Sequence, residues 1–444
     1  MQNKFKTDLH ELKYFLILWV TQSFSQLGSG ATNFALVLWS YQQQGSALSI
    51  ALLTVCSYAP YVLLSIFAGA LSDRWDKKRT MLVSDSCAAL STVCILLLLL
   101  RGELQIWHLY VANTLNGLMN TVQQPASDVA VSLLCPPRQY QRVGGLRSLS
   151  NALVTMLTPM IASAIFAFSG LYAVILFDLS TFLIAFFALL LGVRLPQNAP
   201  DPEETQQSVL ASAADGLRYL RQHRGLLDLI LFLSVINLTA SIYNAALPAM
   251  VLSRADGGTA ALGLVNTATG LATLLGSLLA TLLPAPQSRV RVILNCLLFS
   301  MSTENFLLAF GRGAPVWCLG AVLGWLFIPL MNTNMDVLLR SAIPIPMQGR
   351  VYAVRNTFQF CTIPLGYLCG GLLVDRVCEP FMAAQPTDSL WTALFGMEKG
   401  AGAALLFAAI GLFGALSCLP IRADRHIWRL EHAPEASGDS SEPL

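Results

Sequence analysis

The chain has 444 residues, of which 55% are hydrophobic and only 12% are charged. Soluble globular domains carry about 25% charged residues, so this composition excludes an ordinary soluble fold. Apolar runs of roughly 20 residues recur along the chain, and each is long enough to cross the hydrocarbon core of a bilayer as a helix. The formal net charge of +2 gives no indication of a nucleic-acid partner. The sequence therefore predicts an all-α integral membrane protein, embedded in a lipid bilayer.

About twelve apolar segments follow one another along the chain. The first begins near Lys13 and has no small-residue cleavage site at its end, so we interpret it as a membrane span rather than a signal peptide. An even number of spans places both termini on the same side of the membrane. The segments lie at residues 13–40, 46–72, 80–101, 105–132, 144–168, 171–193, 226–252, 258–283, 290–311, 313–341, 350–376 and 400–420.

The basic residues indicate which side that is. If the amino terminus is cytoplasmic, only five of the 27 basic residues fall on the outer side. Lys and Arg accumulate in cytoplasmic loops, so the sequence predicts that both termini are cytoplasmic. The five exceptions are Arg101, Arg254, Arg312, Arg376 and Lys399.

A polar segment divides the spans into two sets of six. Residues 194–225 contain the proline- and acid-rich run LPQNAPDPEETQQ, followed by apolar residues at helical spacing interleaved with arginines. This pattern predicts a linker with an amphipathic helix on the cytoplasmic membrane face. One six-helix bundle would occupy residues 1–193 and another residues 226–421. Residues 422–444 have the composition of a disordered cytoplasmic tail.

The two sets of spans also share an internal repeat. DVAVSLLCPPRQYQRVGGLR runs from Asp128 to Arg147, and DVLLRSAIPIPMQGRVYAVR runs from Asp336 to Arg355, displaced by 208 residues without a gap. An aspartate, a proline and two arginines coincide in the alignment of these segments. We therefore expect two related six-helix pseudo-repeats.

The short link between the second and third spans, GALSDRWDKKR, carries a family signature. It resembles the sequence Gly-x-x-x-Asp-Arg-x-Gly-x-Arg-Arg of the major facilitator superfamily, and departs from it at Asp76, where Gly is usual. Twelve spans in two parallel repeats are also typical of that superfamily. The segments ILFDLSTFLIA, MQGRVYAVRNTF and LFGMEKGAGAALLF resemble its branch of macrolide and multidrug exporters, the drug:H⁺ antiporters.

The resemblance implies a charged latch that holds the cytoplasmic side closed in the outward-facing state and breaks when that side opens. Alternatively, the charges fix only topology and local folding. The internal repeat predicts a second cluster in the other half. The latch candidates are Gly69, Asp73, Arg74, Lys78, Arg79, Asp128 and Arg142, with Asp336, Arg350 and Arg355 in the second repeat.

The energy source is expected to be a proton gradient. The sequence contains no GxxxxGK[ST] phosphate loop, which argues against nucleotide hydrolysis within this chain, and we expect no cofactor. Ionisable groups inside a membrane are costly and are functional candidates by default. The candidates for proton coupling are Asp178, Glu304 and Asp85. The alternative for Asp178 and Glu304 is a buried, hydrogen-bonded carboxyl, and Asp85 could instead pair with the basic link.

Polar side chains recur at helical spacing on the first, fourth, seventh and tenth spans. Steps of three and four residues place each set on one helix face, and exposure of that face to lipid would be expensive. In the superfamily that the chain resembles, these four spans line the central cavity. The alternative is hydrogen bonding between helices, worth about 0.6 kcal/mol per contact. The cavity candidates are Gln22, Gln26, Asn33, Asn113, Asn116, Asn120, Gln123, Asn237, Tyr243, Asn244 and Asn332.

Amides and hydroxyls beside apolar neighbours suit a bulky amphipathic compound better than a small anion. The resemblance therefore implies a secondary active exporter of amphipathic small molecules, such as macrolide-like drugs. It would work by alternating access with proton antiport in the bacterial cell membrane. Export of a physiological compound such as a siderophore, lysolipid flipping on the same fold, and a receptor or scaffold without flux remain as alternatives.

Other classes find no support in the sequence. The spans contain no HExxH, no GxSxG and no paired catalytic acids, so we do not expect an enzyme. Ten scattered cysteines without a CxxC pair argue against a metal site. We expect a monomer with a small-molecule substrate; an auxiliary ATPase or other subunit is left open.

Overall fold

The computed structural model is almost entirely helical, and no strand occurs in the ranges it describes. For six of the latch candidates the structure describes the backbone alone: Gly69, Asp73, Arg74, Asp128, Arg142 and Arg350. The proline-rich run and residues 433–444 of the expected disordered tail also lie outside the described ranges, whereas residues 422–432 of that tail are described. The described residues are 13–74, 76–135, 140–193, 209–284, 286–343 and 345–432.

Long helices form the first part of the chain. They are α1 (Lys13–Gln44), α2 (Ala47–Arg74), α3 (Lys77–Leu100), α4 (Ile106–Leu134) and α5 (Tyr140–Phe187), which a π-helix continues over Ala188–Gly192. Helix α5 contains both the fifth and the sixth predicted spans. Gly170 interrupts it with φ 70° and ψ −172°, a conformation that glycine adopts without steric cost. The helix is therefore kinked where the sequence predicts a boundary between two spans.

The second part of the chain alternates long and short helices. They are α6 (Val209–Gln222), α7 (Arg224–Ser253), α8 (Thr259–Leu282), α9 (Arg289–Phe310), α10 (Ala314–Trp325), α11 (Ile328–Ala342), α12 (Ile345–Leu372) with a π-helical extension (Leu373–Cys378), α13 (Glu379–Ala383), α14 (Leu390–Phe395), α15 (Ala401–Ala423), α16 (Arg425–Arg429) and a 3₁₀ turn (Leu430–His432). The tenth predicted span is divided into α10 and α11. Pro329 lies in the first turn of α11, where its missing N–H leaves no helical hydrogen bond unmade.

Within the described residues, nine helical segments are long and apolar enough to cross a membrane. One of them, Leu149–Gly192, has 44 residues, about twice the length that one crossing needs. Helices α1 and α4, with 32 and 29 residues, are long enough to cross but carry the polar stripes of the first and fourth predicted spans. An all-helical, multi-pass membrane fold is thus confirmed, whereas the count of twelve spans and the cytoplasmic termini stay predictions.

The chain divides into two compact units. The first comprises Met1–Pro202 and Val251–Gly270, and the second comprises Glu203–Met250 and Leu271–Leu444. In the first unit α1 packs on α5, and both α2 and α3 pack on α4. Small residues allow this close approach, because a β-carbon at Gly117 of α4 would overlap the backbone carbonyl of α2.

The second unit has an extensive apolar core. Helix α9 packs on α10, α11 and α15, and α6 packs on α12. Leu220 of α6 is fully buried in this core, and Leu217 packs against it. The apolar face of the predicted amphipathic helix therefore lies on protein at these two positions. Its placement on the cytoplasmic membrane face stays a prediction.

The end of the described chain is fastened to the start of α9. Glu431 Oε1 accepts hydrogen bonds from the backbone N–H of Val290, at 2.6 Å, and from the Ser288 hydroxyl, at 3.0 Å. A carboxylate at a helix N-terminus satisfies backbone donors that have no partner within the helix and interacts favourably with the helix dipole. Ile427 of α16 is fully buried. The prediction of a disordered tail from residue 422 is therefore wrong for residues 422–432, which are a structured part of the second unit.

The Gly117 contact can be tested by Gly117→Ala. We expect this change to push α4 away from the Ser57 carbonyl and to lower the free energy of unfolding by about 1–3 kcal/mol. The readout is the thermal midpoint of the purified protein in detergent. Gly192→Ala is the matched control, since the nearest atom to its β-carbon would be Ile17 Cγ2 at an ordinary 3.6 Å. Equal midpoints for the two variants would contradict the packing described.

The topology can be tested by reporter fusions. A phosphatase that is active only outside the cytoplasm should be inactive when fused after Leu444, and active when fused after Met397. The reason is that both termini are predicted to lie inside and residue 399 outside. Green fluorescent protein, which fluoresces in such fusions only when it stays in the cytoplasm, should give the opposite pattern. An active phosphatase at the carboxyl terminus would contradict the predicted topology.

Candidate functional site

The first unit contains a polar cavity of about 350 Å³. All the cavity candidates from the first and fourth predicted spans line it, and so do Asp85 of α3 and Asp178 of α5. The polar face of α1 thus points into the same space as the polar face of α4. The candidates are Gln22, Gln26, Asn33, Asn113, Asn116, Asn120 and Gln123.

Asp85 joins three helices at this cavity. Gln123 of α4 donates to its Oδ1 atom at 2.5 Å, and Gln22 of α1 donates to its Oδ2 atom at 3.5 Å. The hydrogen bonds described for Asp85 therefore go to cavity amides, and not to the basic link that the sequence offered as an alternative partner.

Asp178 is 5% exposed and lies at a close contact between α1 and α5. Ser29 donates its hydroxyl to Asp178 Oδ1 at 3.0 Å. The preceding residue, Gly28, makes this approach possible, because a β-carbon there would overlap the Thr181 hydroxyl and lie 3.0 Å from the Asp178 Cα atom. The first unit thus presents two carboxyl groups to one cavity.

The second unit contains its own cavity of about 210 Å³, and the lining of this cavity is mainly apolar. Three of the predicted candidates line it: Asn237, Tyr243 and Asn332. Asn237 also donates to the Gln359 carbonyl at 2.7 Å, which joins α7 to α12. Asn244, by contrast, donates to the Ala240 carbonyl one turn earlier on its own helix. The apolar lining includes Leu233, Ile236, Leu297, Met301, Ile328, Met331 and Met335.

Glu304 of α9 is the carboxyl group of this second cavity and is 5% exposed. Its Oε1 atom accepts hydrogen bonds from the Tyr243 hydroxyl, at 2.5 Å, and from the Trp325 indole N–H, at 3.0 Å. Its Oε2 atom lies over Gly324, where a β-carbon would overlap it. One carboxyl group thus joins α7, α9 and α10. The sequence reasoning missed Trp325 and Gly324, since a tryptophan and a glycine in an apolar span carry no signal of a partner on another helix.

The signature link contacts the end of α5. Lys78 donates to the Leu190 and Val193 carbonyls, at 2.9 and 2.7 Å, where the π-helix leaves backbone acceptors without helical partners. A cation at this end of a helix is stabilising. Asp76, where the sequence departs from the signature, is the N-cap of α3, and its carboxylate accepts from the Arg79 backbone N–H at 2.8 Å. Such a cap is worth about 1 kcal/mol.

The second predicted cluster is described in part. Arg355 of α12 lies 3.4 Å from Asp336 of α11, measured between Nη1 and Oδ1. The Asp336 side chain is 51% exposed, so this ion pair by itself contributes about 0–1 kcal/mol. Two members of the predicted second cluster are thus neighbours, and their role as a latch stays a prediction.

A metal centre finds no support in the described part of the chain. No group of three or more His, Cys, Asp or Glu side chains there could hold an ion.

Solved structures share this architecture. A point mutant of the nucleoside transporter NupG superposes with a TM-score of 0.68 at 14% identity, covering 92% of this chain and 99% of that one. A bacterial homologue of the iron transporter ferroportin superposes with a TM-score of 0.67, covering 93% and 99% of the two chains. At such low identity the likeness shows the fold alone.

Three bacterial relatives are named for export. Macrolide efflux protein A of Streptococcus pyogenes is 22% identical over 370 residues, which cover 83% of this chain and 90% of that protein. The multidrug efflux pump Tap of Mycolicibacterium fortuitum is 24% identical, with 78% and 86% covered. The enterobactin exporter EntS of Citrobacter koseri is 23% identical, with 67% and 70% covered.

The family model of the Major Facilitator Superfamily matches residues 18–360. Together with the helical fold and the transporter relatives, this match identifies a multi-pass protein of the cell membrane that transports rather than catalyses. The chain belongs to the Major Facilitator Superfamily.

Proposed function

We propose that this transporter is a secondary active exporter of amphipathic small molecules, macrolide-like drugs among them, which works by alternating access and proton antiport. The observation that carries the proposal is the chemical contrast between the two cavities. One is rich in amides and hydroxyls and has two carboxyl groups, and the other is lined mainly by aliphatic, aromatic and thioether side chains, with a few amides and hydroxyls, around a single carboxyl group.

The polar cavity suits the oxygen- and nitrogen-bearing part of such a compound. Each Asn or Gln side chain offers both a donor and an acceptor, so the lining is able to pair with hydroxyl, carbonyl or amine groups in several arrangements. When ionised, the two aspartates add negative charge. This combination favours polar or positively charged groups over anions.

The apolar cavity suits the hydrocarbon part. Met301, Met331 and Met335 all line it, and flexible, polarizable thioethers adapt to irregular apolar shapes and recur at promiscuous binding surfaces. An amphipathic compound carries surfaces that match both linings. A small multivalent anion matches neither.

Proton antiport is supported by where the carboxyl groups lie. Asp85, Asp178 and Glu304 are in helices that cross the membrane, and each lines a cavity. The hydrogen bonds described for them come from amides, hydroxyls and an indole. Within the described part of the chain none of the three groups forms an ion pair with Lys or Arg, so gain or loss of a proton there would not have to break one.

The direction of transport is supported by the names of the relatives, which are an efflux protein, an efflux pump and an exporter. A second candidate function, export of a siderophore, is favoured by the relative named enterobactin exporter. The two candidates share fold and direction and differ in substrate.

The proposal is tested in inside-out membrane vesicles that contain the protein. We expect a macrolide and a fluorescent amphipathic dye to accumulate in them, and a protonophore to abolish this accumulation. Glu304→Gln, Asp178→Asn and Asp85→Asn are compared with Glu103→Gln, which changes an exposed acid outside the cavities. At least one cavity variant should lose uphill accumulation while it keeps downhill flux, because proton exchange rather than substrate binding is removed.

The same assay separates the alternatives. Asp73→Asn in the signature should also abolish accumulation if the charged link is a latch. Normal accumulation without a proton gradient would refute antiport. Accumulation of a siderophore, with neither macrolide nor dye transported, would favour the second candidate.

The structural role of the Glu304 cluster is tested separately by Tyr243→Phe. Removal of the hydroxyl takes away one of the two donors to Oε1, and loss of a partner to a buried carboxyl group costs about 1–3 kcal/mol. We expect a lower thermal midpoint in detergent. Tyr172→Phe, at a ring that is 44% exposed, should leave the midpoint unchanged; an equal effect of both changes would contradict the cluster.

A further inference from the structure

The connection between α13 and α15 has a structure of its own. The helices on either side belong to the candidate membrane spans Val354–Ala383 and Ala401–Ala423. Because both neighbours cross the bilayer, residues 384–400 lie close to one membrane surface. Helix α14 (Leu390–Phe395) lies within this connection.

Helix α14 is held rigidly on the second unit. Ser389 caps its N-terminus by accepting from the Thr392 backbone N–H at 3.2 Å. The Thr392 hydroxyl donates back to the Thr387 carbonyl at 2.9 Å. On the inner face Phe395 is 4% exposed, and its ring stacks between those of Phe310 and Trp391, with centroids 5.5 and 6.3 Å away.

The face of this helix next to Phe395 is apolar and exposed. Leu390, Trp391 and Leu394 share one side of the helix and are 72%, 41% and 44% exposed, and Met397 follows with 63%. We call these four residues the outer apolar face. Trp391 is oriented by an edge contact with Phe381 at 5.7 Å between ring centroids. The hydrogen bonds of Ser389 and Thr392 and the ring contacts of Phe395 hold the helix in this orientation, with the outer apolar face exposed.

Two features indicate what covers this face. It adjoins an exposed apolar side chain of the flanking span, since Phe381, the ring partner of Trp391, is 40% exposed. Beside it lie the exposed charged residues Asp388, Glu398 and Lys399. Tryptophan and aliphatic residues next to charges are typical of the membrane–water interface, where apolar groups enter the lipid and charged groups stay in water.

We propose that the outer apolar face is an interfacial anchor that inserts into the headgroup layer of the lipid leaflet next to the α13–α15 connection. The predicted topology makes this the outer leaflet. The proposal goes beyond the transport function and does not depend on any substrate. A second copy of the chain is a poorer occupant, since four side chains cover far less than the roughly 800 Å² per partner of a stable interface.

The test uses Trp391 as a native probe in nanodiscs. Bromine atoms on lipid chains quench tryptophan on contact, and the chain has eight tryptophans. The contribution of Trp391 is therefore taken as the difference between the unmodified protein and Trp391→Phe. We expect this contribution to be lost with bromines placed near the headgroup end of the chains and retained with bromines near the bilayer centre. Equal emission in all lipids, or stronger quenching by the deep bromines, would overturn the proposal.

Two further variants and a control test the position of the same face independently. Leu390→Trp adds a tryptophan at the most exposed position of the face, and its added emission should be quenched by the same shallow bromines. Leu394→Glu should expel the face into water, with loss of Trp391 quenching and a red shift of its emission. Thr387→Glu, which adds the same charge to an exposed position of the same connection, should leave both unchanged. Unquenched Trp391 together with cross-linked dimers would assign the face to a second copy instead.

Discussion

The architecture depends on one constraint: a polar group inside a membrane must find its partner within the protein. Asp85 meets it with amides from two other helices, and Glu304 meets it with a phenol and an indole from two others. These bonds are made across helices because each backbone already satisfies its own donors and acceptors. The polar stripes therefore have to face the interior of each unit, where the two cavities lie.

The same constraint connects chemistry to conformation. Because one oxygen of Glu304 holds both Tyr243 and Trp325, a change in what that carboxyl group binds alters contacts among three helices at once. Conformational change requires such a differential interaction with the states concerned. Glycine makes the arrangement tight: Gly28 lies against Asp178, and Gly324 lies against the Glu304 carboxyl. A carboxyl group with close-packed helices around it has little room to move without moving them.

Sequence periodicity indicates which face of a helix is polar but not which residues that face contacts. Steps of three and four residues identify such a face, and Gln22, Asn113 and Asn237 on these faces each line one of the two cavities. Periodicity gives no information about partners on other helices, which is why the hydrogen bond from Trp325 to Glu304 was not predicted. It also cannot distinguish a side chain that faces a cavity from one that bonds along its own helix, as Asn244 does. An amphipathic pattern does not distinguish a helix that packs on lipid from one that packs on protein. In α6, Leu220 packs on protein.

The two repeats have kept geometry and changed chemistry. Helix α3 begins with the cap Asp76, which accepts from a backbone N–H three residues on. Helix α9 in the second unit begins with Ser288, which makes the same bond, and Glu431 supplies there the carboxylate that a serine lacks. Where geometry must be preserved, different residues perform the same task. Where it need not be, the linings differ: the cavity of the first unit is polar and that of the second unit is mainly apolar, so each unit presents a different chemical surface.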